Sequence, residues 1–304
     1  MTLNDQRATR VYKLPADVGV LEACHKVKSL SHKFGVPLQN EAYNLILLSL
    51  VRSRHYDEFY DELRELEKKQ QFTLDVRGYT AQMILAANMV LGDERLDILN
   101  GLRDRAQQAP IPQNPKSARY AVQQMYETLL CAYSMLEPSD AVNNALQSLI
   151  AEMKSKKITQ VTLHRTMLAF DMTKESMDRL LKLLKEHWPS LQLDYRFYRP
   201  YCMVCMMDMV RRGEVSVGVN TSNEQQDQAR IKLMKTKMRE AINMCSQHFN
   251  DLNTSLFKMW ANLLAYNGDY NGVRAVISLV KEEQDKSLKE FPGVLSTYRT
   301  ALIV

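Results

Sequence analysis

Residues Glu41 to Asp75, EAYNLILLSLVRSRHYDEFYDELRELEKKQQFTLD, spell out a helical hairpin. The first half places Tyr43, Ile46, Leu47 and Leu50 on one stripe, and the second half places Phe59, Leu63 and Leu66 on another, both at three- and four-residue spacing. A polar break from Ser53 to Tyr56 divides them. Neither helix can cover its stripe alone, so the two must pair and then stack on neighbours.

The same layout returns downstream. LDVRGY at Leu74 to Tyr79 and LDYRFY at Leu193 to Tyr198 are near copies, each closing one hairpin and opening the next. Ala141 to Leu168 reads as a second helix, a basic junction and a new first helix; Leu256 to Glu283 reads as helix, polar turn at Asn267 to Gly272, and helix. The pattern predicts hairpins at about 41–75, 76–113, 116–158, 160–194, 195–250 and 253–290, preceded by half a repeat at 17–35. On this division 1–16 is an N-terminal extension, 17–290 the array and 291–304 a capping segment. PIPQNP at Pro110 to Pro115 cannot continue a helix and is expected to be a loop. Gly213 to Gln228 is polar and without period, and reads as an insertion.

Composition agrees with an all-α chain. Ten Gly and nine Pro in 304 residues leave long stretches of good helix formers uninterrupted, and 45% hydrophobic residues supply a continuous core. No run approaches the ~18 apolar residues of a membrane-spanning helix, so no membrane partner is expected. Five scattered cysteines point to a reducing compartment rather than a disulfide framework. The N-terminus lacks the apolar core of a secretory signal.

Tyr43 and Asn44 near the start of a first helix, the basic break between helices, AEMKSKKITQVT at Ala151 to Thr162, and the terminal Asp75 together resemble a divergent pentatricopeptide-repeat protein. The tetratricopeptide signature of Trp, Gly and Pro is not apparent. The resemblance implies an all-α, right-handed α-α superhelix (a helical-hairpin repeat solenoid) whose first helices line a concave face. It implies an RNA-associated structural component of a mitochondrial ribosome or mRNA-processing complex, of the kind found in kinetoplastid-type protists. In the family a polar residue near the fifth position of the first helix reads one RNA base per repeat. Here those positions are Leu45, Arg165, Arg199 and Met259, so a readable base code is not expected.

On that concave face Arg77, Arg165, Arg196, Arg199 and Lys258 are the candidates to neutralise phosphates, with Tyr79, Tyr195 and Tyr198 placed to stack on bases. A second run, ARIKLMKTKMREA, offers Arg230, Lys232, Lys235, Lys237 and Arg239 for the RNA backbone. For any single residue, a salt bridge or a solvated position is the competing reading. Cys202 and Cys205 form a CxxC without a second ligand pair and read as buried thiols. No phosphate loop, HExxH or nucleophile motif occurs, so neither catalysis, a cofactor nor a small-molecule substrate is expected. The partners expected are ribosomal or messenger RNA and the protein subunits of a larger complex. A protein-binding scaffold without direct RNA contact is the alternative.

Overall fold

The computed structural model describes residues 18–69, 72–90, 92, 94–158 and 163–191, and beyond them 197, 200, 201, 204, 225, 228, 229, 231–236, 238, 239, 257, 260, 261, 264, 265 and 269–287. Among the described residues the regular structure is all α-helix. The chain divides into two compact units, Ala16–Leu191 and a second containing Gln192–Val304. The division falls between the fourth and fifth predicted hairpins.

In the first unit the helices are α1 (Val18–Phe34), α2 (Asn40–Arg52), α3 (Tyr56–Glu67), α4 (Val76–Met89), α5 (Glu94–Gln108), α6 (Pro115–Ser134), α7 (Asp140–Ser155), α8 (Leu163–Met167) and α9 (Lys174–His187). Helices α2 and α3, α4 and α5, and α6 and α7 pair as hairpins, and the leading helices α2, α4, α6 and α8 pack side by side in a row. Three predicted hairpins are therefore present as pairs. The fourth opens with only five helical residues before a turn at 168–170.

Local chemistry explains the boundaries. Helix α1 ends at Gly35 (φ 64°), with Val36 N–H donating to Ser31 O in a Schellman-type closure. The two basic junctions close in the same way without glycine. Arg54 (φ 64°) lets His55 N–H reach Leu50 O, and Lys157 (φ 53°) lets Ile158 N–H reach Met153 O. In the PIPQNP loop Asn114 caps α6 by accepting from Lys116 and Ser117, with Pro115 in the first turn where its missing N–H costs nothing.

The LDVRGY motif is a cap. Asp75 is buried and accepts from the N–H groups of Arg77 and Gly78, while its own N–H donates to Asn44 Oδ1 at 3.1 Å. Gly78 is required for this approach, because a Cβ there would lie 2.3 Å from Asn44 Oδ1. Asp269 and Gly272 repeat the arrangement at the start of α10 (Tyr270–Ser287) in the second unit, where Gly272 N–H donates to Asp269 Oδ1 at 2.7 Å. The near copy at Asp194 lies outside the described residues, as do 1–16, 291–304 and most of the 213–228 insertion, of which Gln225 and Gln228 are described and helical.

Helix α6 is the centre of the first unit. Every residue from Gln124 to Ser134 is buried, with α4, α5, α7, α8 and α9 packed around it. In an open repeat array each unit touches only its neighbours. Here the first hairpin reaches the fourth. Arg54 donates to Leu168 O (3.0 Å), Phe170 O (3.4 Å) and Asp171 Oδ1 (3.0 Å), and Arg52 donates to Thr166 Oγ1. Asn88, at the end of α4, completes the clasp: its Nδ2 donates to Ala169 O at 2.9 Å and its Oδ1 accepts from Asp171 N–H at 3.0 Å.

Replacing Asn88 with alanine leaves the buried Ala169 carbonyl and the partly buried Asp171 N–H without this partner. Asn88→Ala is expected to lower unfolding stability by about 2–3 kcal/mol, measured by urea denaturation. A change under about 0.5 kcal/mol would mean the clasp is not formed.

Candidate interaction surfaces

The cations proposed from the sequence are distributed unevenly. Arg77 is buried: its Nε and Nη2 donate to Asp75 Oδ2 at 3.0 and 2.6 Å, with Glu41 at 3.5 Å. Its guanidinium locks the α4 cap to α2 and is turned away from solvent. Tyr79 beside it is half-buried. Lys235 donates to Ser278 Oγ (3.0 Å) and Glu282 Oε1 (2.9 Å), and Arg239, one turn on, pairs with the same carboxylate. These two cations thus join their helix to α10, and Lys235 holds the Glu282 carboxyl below its usual range. Arg165 and Lys232 are exposed. Arg196, Arg199, Arg230, Lys237 and Lys258 lie outside the described residues, as do Tyr195, Tyr198, Cys202 and Cys205.

Arg165 stands in a cluster that sequence reading did not assemble. Thr166 Oγ1 donates to Glu127 Oε2, Gln123 Nε2 donates to Glu127 Oε1, and Arg52 faces Glu127, Tyr120 and Arg165. Burial lowers the Arg52 pKa, offset in part by Tyr120 and Glu127. Tyr120, Gln123 and Glu127 recur at helical spacing on α6, which was the signal available. Their partners on α2 and α8 were not, because those meet α6 only in three dimensions. Lys116, Arg119 and Tyr120 remain exposed on the opening turns of α6, beside this cluster.

A second surface surrounds α1. A cleft of about 490 Å³ lies between α1, α2 and α3, floored by Leu21, Cys24, Ile46 and Leu50. Its α3 wall carries Glu58, Asp61, Glu62 and Glu65; its α1 wall carries His25 and Lys28, and Lys28 pairs across it with Glu62. Burial and the Glu62 charge raise the Cys24 pKa, which makes the thiol a poor nucleophile. The opposite side of α1 is apolar and open. Val27 is 45% exposed, Leu30 42% and Phe34 67%, and Ala23 is exposed on the same line. The spacing of these residues is readable in the sequence; their exposure is not.

Charge is otherwise organised for packing. Among the described residues no group of His, Cys, Asp and Glu converges as a metal site, and no helix is long and apolar enough to cross a membrane. Glu152 on α7 is the strongest hub: it accepts from Arg103, Gln107, Tyr126 and Lys156. Burial alone would raise its pKa, but hydrogen bonds from Lys156, Tyr126 and Arg103 outweigh that and hold it at about 2. A carboxyl depressed from 4.5 in this way contributes stability above pH 4.5 that is lost as pH falls towards 2.

With the Glu152 side chain 19% exposed and so partly screened, that contribution is about 2–3 kcal/mol. Glu152→Gln should lose it at pH 7, and the stabilities of the two proteins should approach each other as pH falls from 4.5 and converge only at about pH 2 and below. Parallel curves across the acid range would show that the hub is not coupled to folding. No protein-family model, curated protein or solved structure matches the chain.

Proposed function

We propose that this chain is a helical-hairpin scaffold, a right-handed α-α superhelix that holds protein partners within a larger assembly, and that it is not an enzyme. The observation that carries this reading is the open apolar side of α1, where Val27, Leu30 and Phe34 stand 42–67% exposed at one end of the helical row. Contiguous exposed apolar side chains on a soluble helix are the ordinary mark of a protein contact. Supporting it, Arg77 is engaged with carboxylates inside the fold, and Lys235 and Arg239 with the partly exposed Glu282, which lessens the basic charge free to meet a polyanion. We propose a mitochondrial setting for that assembly, a ribosome or mRNA-processing complex, on the sequence resemblance to pentatricopeptide repeats alone.

A second reading is direct RNA contact through backbone and stacking. It is favoured by one group: exposed Tyr120 and Arg165, which both face Arg52, with Lys116 and Arg119 exposed on the same opening turns of α6 as Tyr120. Phosphates would meet the cations, and the Tyr120 ring would offer a stacking platform.

Tagged full-length protein, purified with and without nuclease, separates the two. The scaffold reading expects the same proteins to remain bound after nuclease treatment, and filter binding to single-stranded RNA to be no tighter for wild type than for Arg119→Glu/Arg165→Glu. Loss of every partner with nuclease, together with RNA affinity that falls steeply with salt and drops at least tenfold in the double variant, would replace it with the RNA reading.

A further inference from the structure

Helix α1 covers little of itself. Of its described side chains only Cys24 is buried, although the helix runs 17 residues. Isolated helices of that length are marginal in water and draw their stability from a packed face. The inner face, Leu21, Cys24, His25 and Lys28, borders the cleft. At 100° per residue the outer residues Ala23, Val27, Leu30 and Phe34 centre about 140° away from it, pointing off the body.

We propose that α1 is a docking helix whose outer stripe receives an acidic amphipathic helix from a partner protein, an inference that rests on the scaffold reading. The four residues follow a 4-3-4 spacing, the seam of a two-helix coiled coil, so the occupant is a helix rather than an extended strand. Lys26 and Lys33, both exposed, sit at the two flanking positions on one side of the seam, while the other flank carries Ser31 and Cys24. Helix α1 as a whole has Lys26, Lys28 and Lys33 against Glu22, and Lys28 is held by Glu62, so Lys26 and Lys33 are the charges left to face a visitor. They call for Glu or Asp at the facing positions.

A second copy of this chain fits less well. Antiparallel pairing of two α1 helices would set Lys26 and Lys33 against themselves, and parallel pairing would set Lys26 against the uncharged Ser31 and leave Lys33 beyond the partner helix. A lipid surface also suits basic helices, but the seam here is narrow and carries a single aromatic, Phe34. Gly35 ends the helix immediately after Phe34, which limits α1 to roughly 25 Å and the visiting helix to about 15–20 residues.

The test uses the full chain and two synthetic peptides of about three heptads, both with leucine at the seam positions, one flanked by glutamate and the other by lysine. Fluorescence anisotropy should give at least tenfold tighter binding of the glutamate peptide. Leu30→Glu should abolish that binding with the circular dichroism spectrum unchanged, and Lys26→Glu/Lys33→Glu should reverse the preference. Equal binding of the two peptides, or binding of neither, overturns the proposal. So does a dimer in sedimentation that disappears in Leu30→Glu, which would assign the stripe to a second copy, or loss of phosphatidylserine-vesicle binding in that variant, which would assign it to lipid. If nuclease-resistant partners persist undiminished in Leu30→Glu, the docking role of α1 fails while the scaffold reading stands.

Discussion

Burial of α6 on all sides is the constraint from which the first unit follows. Eleven consecutive residues, Gln124 to Ser134, are closed off from solvent, and they include polar Gln124, Glu127, Thr128 and Ser134. A helix enclosed this way must find partners for most of its polar groups, or the cost of desolvation would cancel the gain from its leucines, and Thr128 Oγ1 is the exception that goes without one. Thr166 and Gln123 meet Glu127, and Ser134 Oγ turns back to Leu130 O. Glu152 of α7 meets Tyr126, and Asn100 of α5 accepts from Tyr133 at 2.7 Å. The surrounding helices are held at the distances that these bonds require.

That enclosure governs what is left for function. The leading helices of a hairpin array are expected to present a groove, yet α4 and α6 are mostly covered, and Arg54 of the first hairpin and Asn88 of the second both reach the fourth. Charges that would line such a groove serve the frame: Arg77 holds a cap, and Arg54 holds a turn. What this packing leaves exposed in the first unit includes the edge of the row, where α1 has an apolar stripe and no helix beyond it among the described residues of its unit, and the first turns of α6.

The hairpins were legible because apolar residues at three- and four-residue spacing allow few alternatives, and because Pro115, Asn114 and Gly35 punctuate the chain locally. The repeated LDVRGY motif was visible as a boundary, and its meaning as an Asp cap closing over Gly78 needed coordinates. The basic junctions drew attention for their charge, but their common property is a left-handed residue, Arg54 or Lys157, that ends a helix. Arg77 could not be told from a surface arginine, because its partners Asp75 and Glu41 belong to the end of one hairpin and the start of a helix 36 positions away. Asn44 stood out in the sequence only as part of a repeat-like motif and Asn88 as an ordinary polar position, and each proves to be a bracket between segments distant in sequence. The α1 stripe was present in the letters as a 4-3-4 spacing, which a buried helix would show equally.

Hydrogen exchange of the full chain, read residue by residue, compares the two helices on which the account turns. Amides of Gln124 to Ser134 in α6 should exchange only through global unfolding, while those of Ala23 to Phe34 in α1 should exchange through local opening, at rates faster by several orders of magnitude. Equal protection of α1 and α6 in the isolated protein would contradict the claim that α6 is the saturated centre of the fold and α1 its unsatisfied edge.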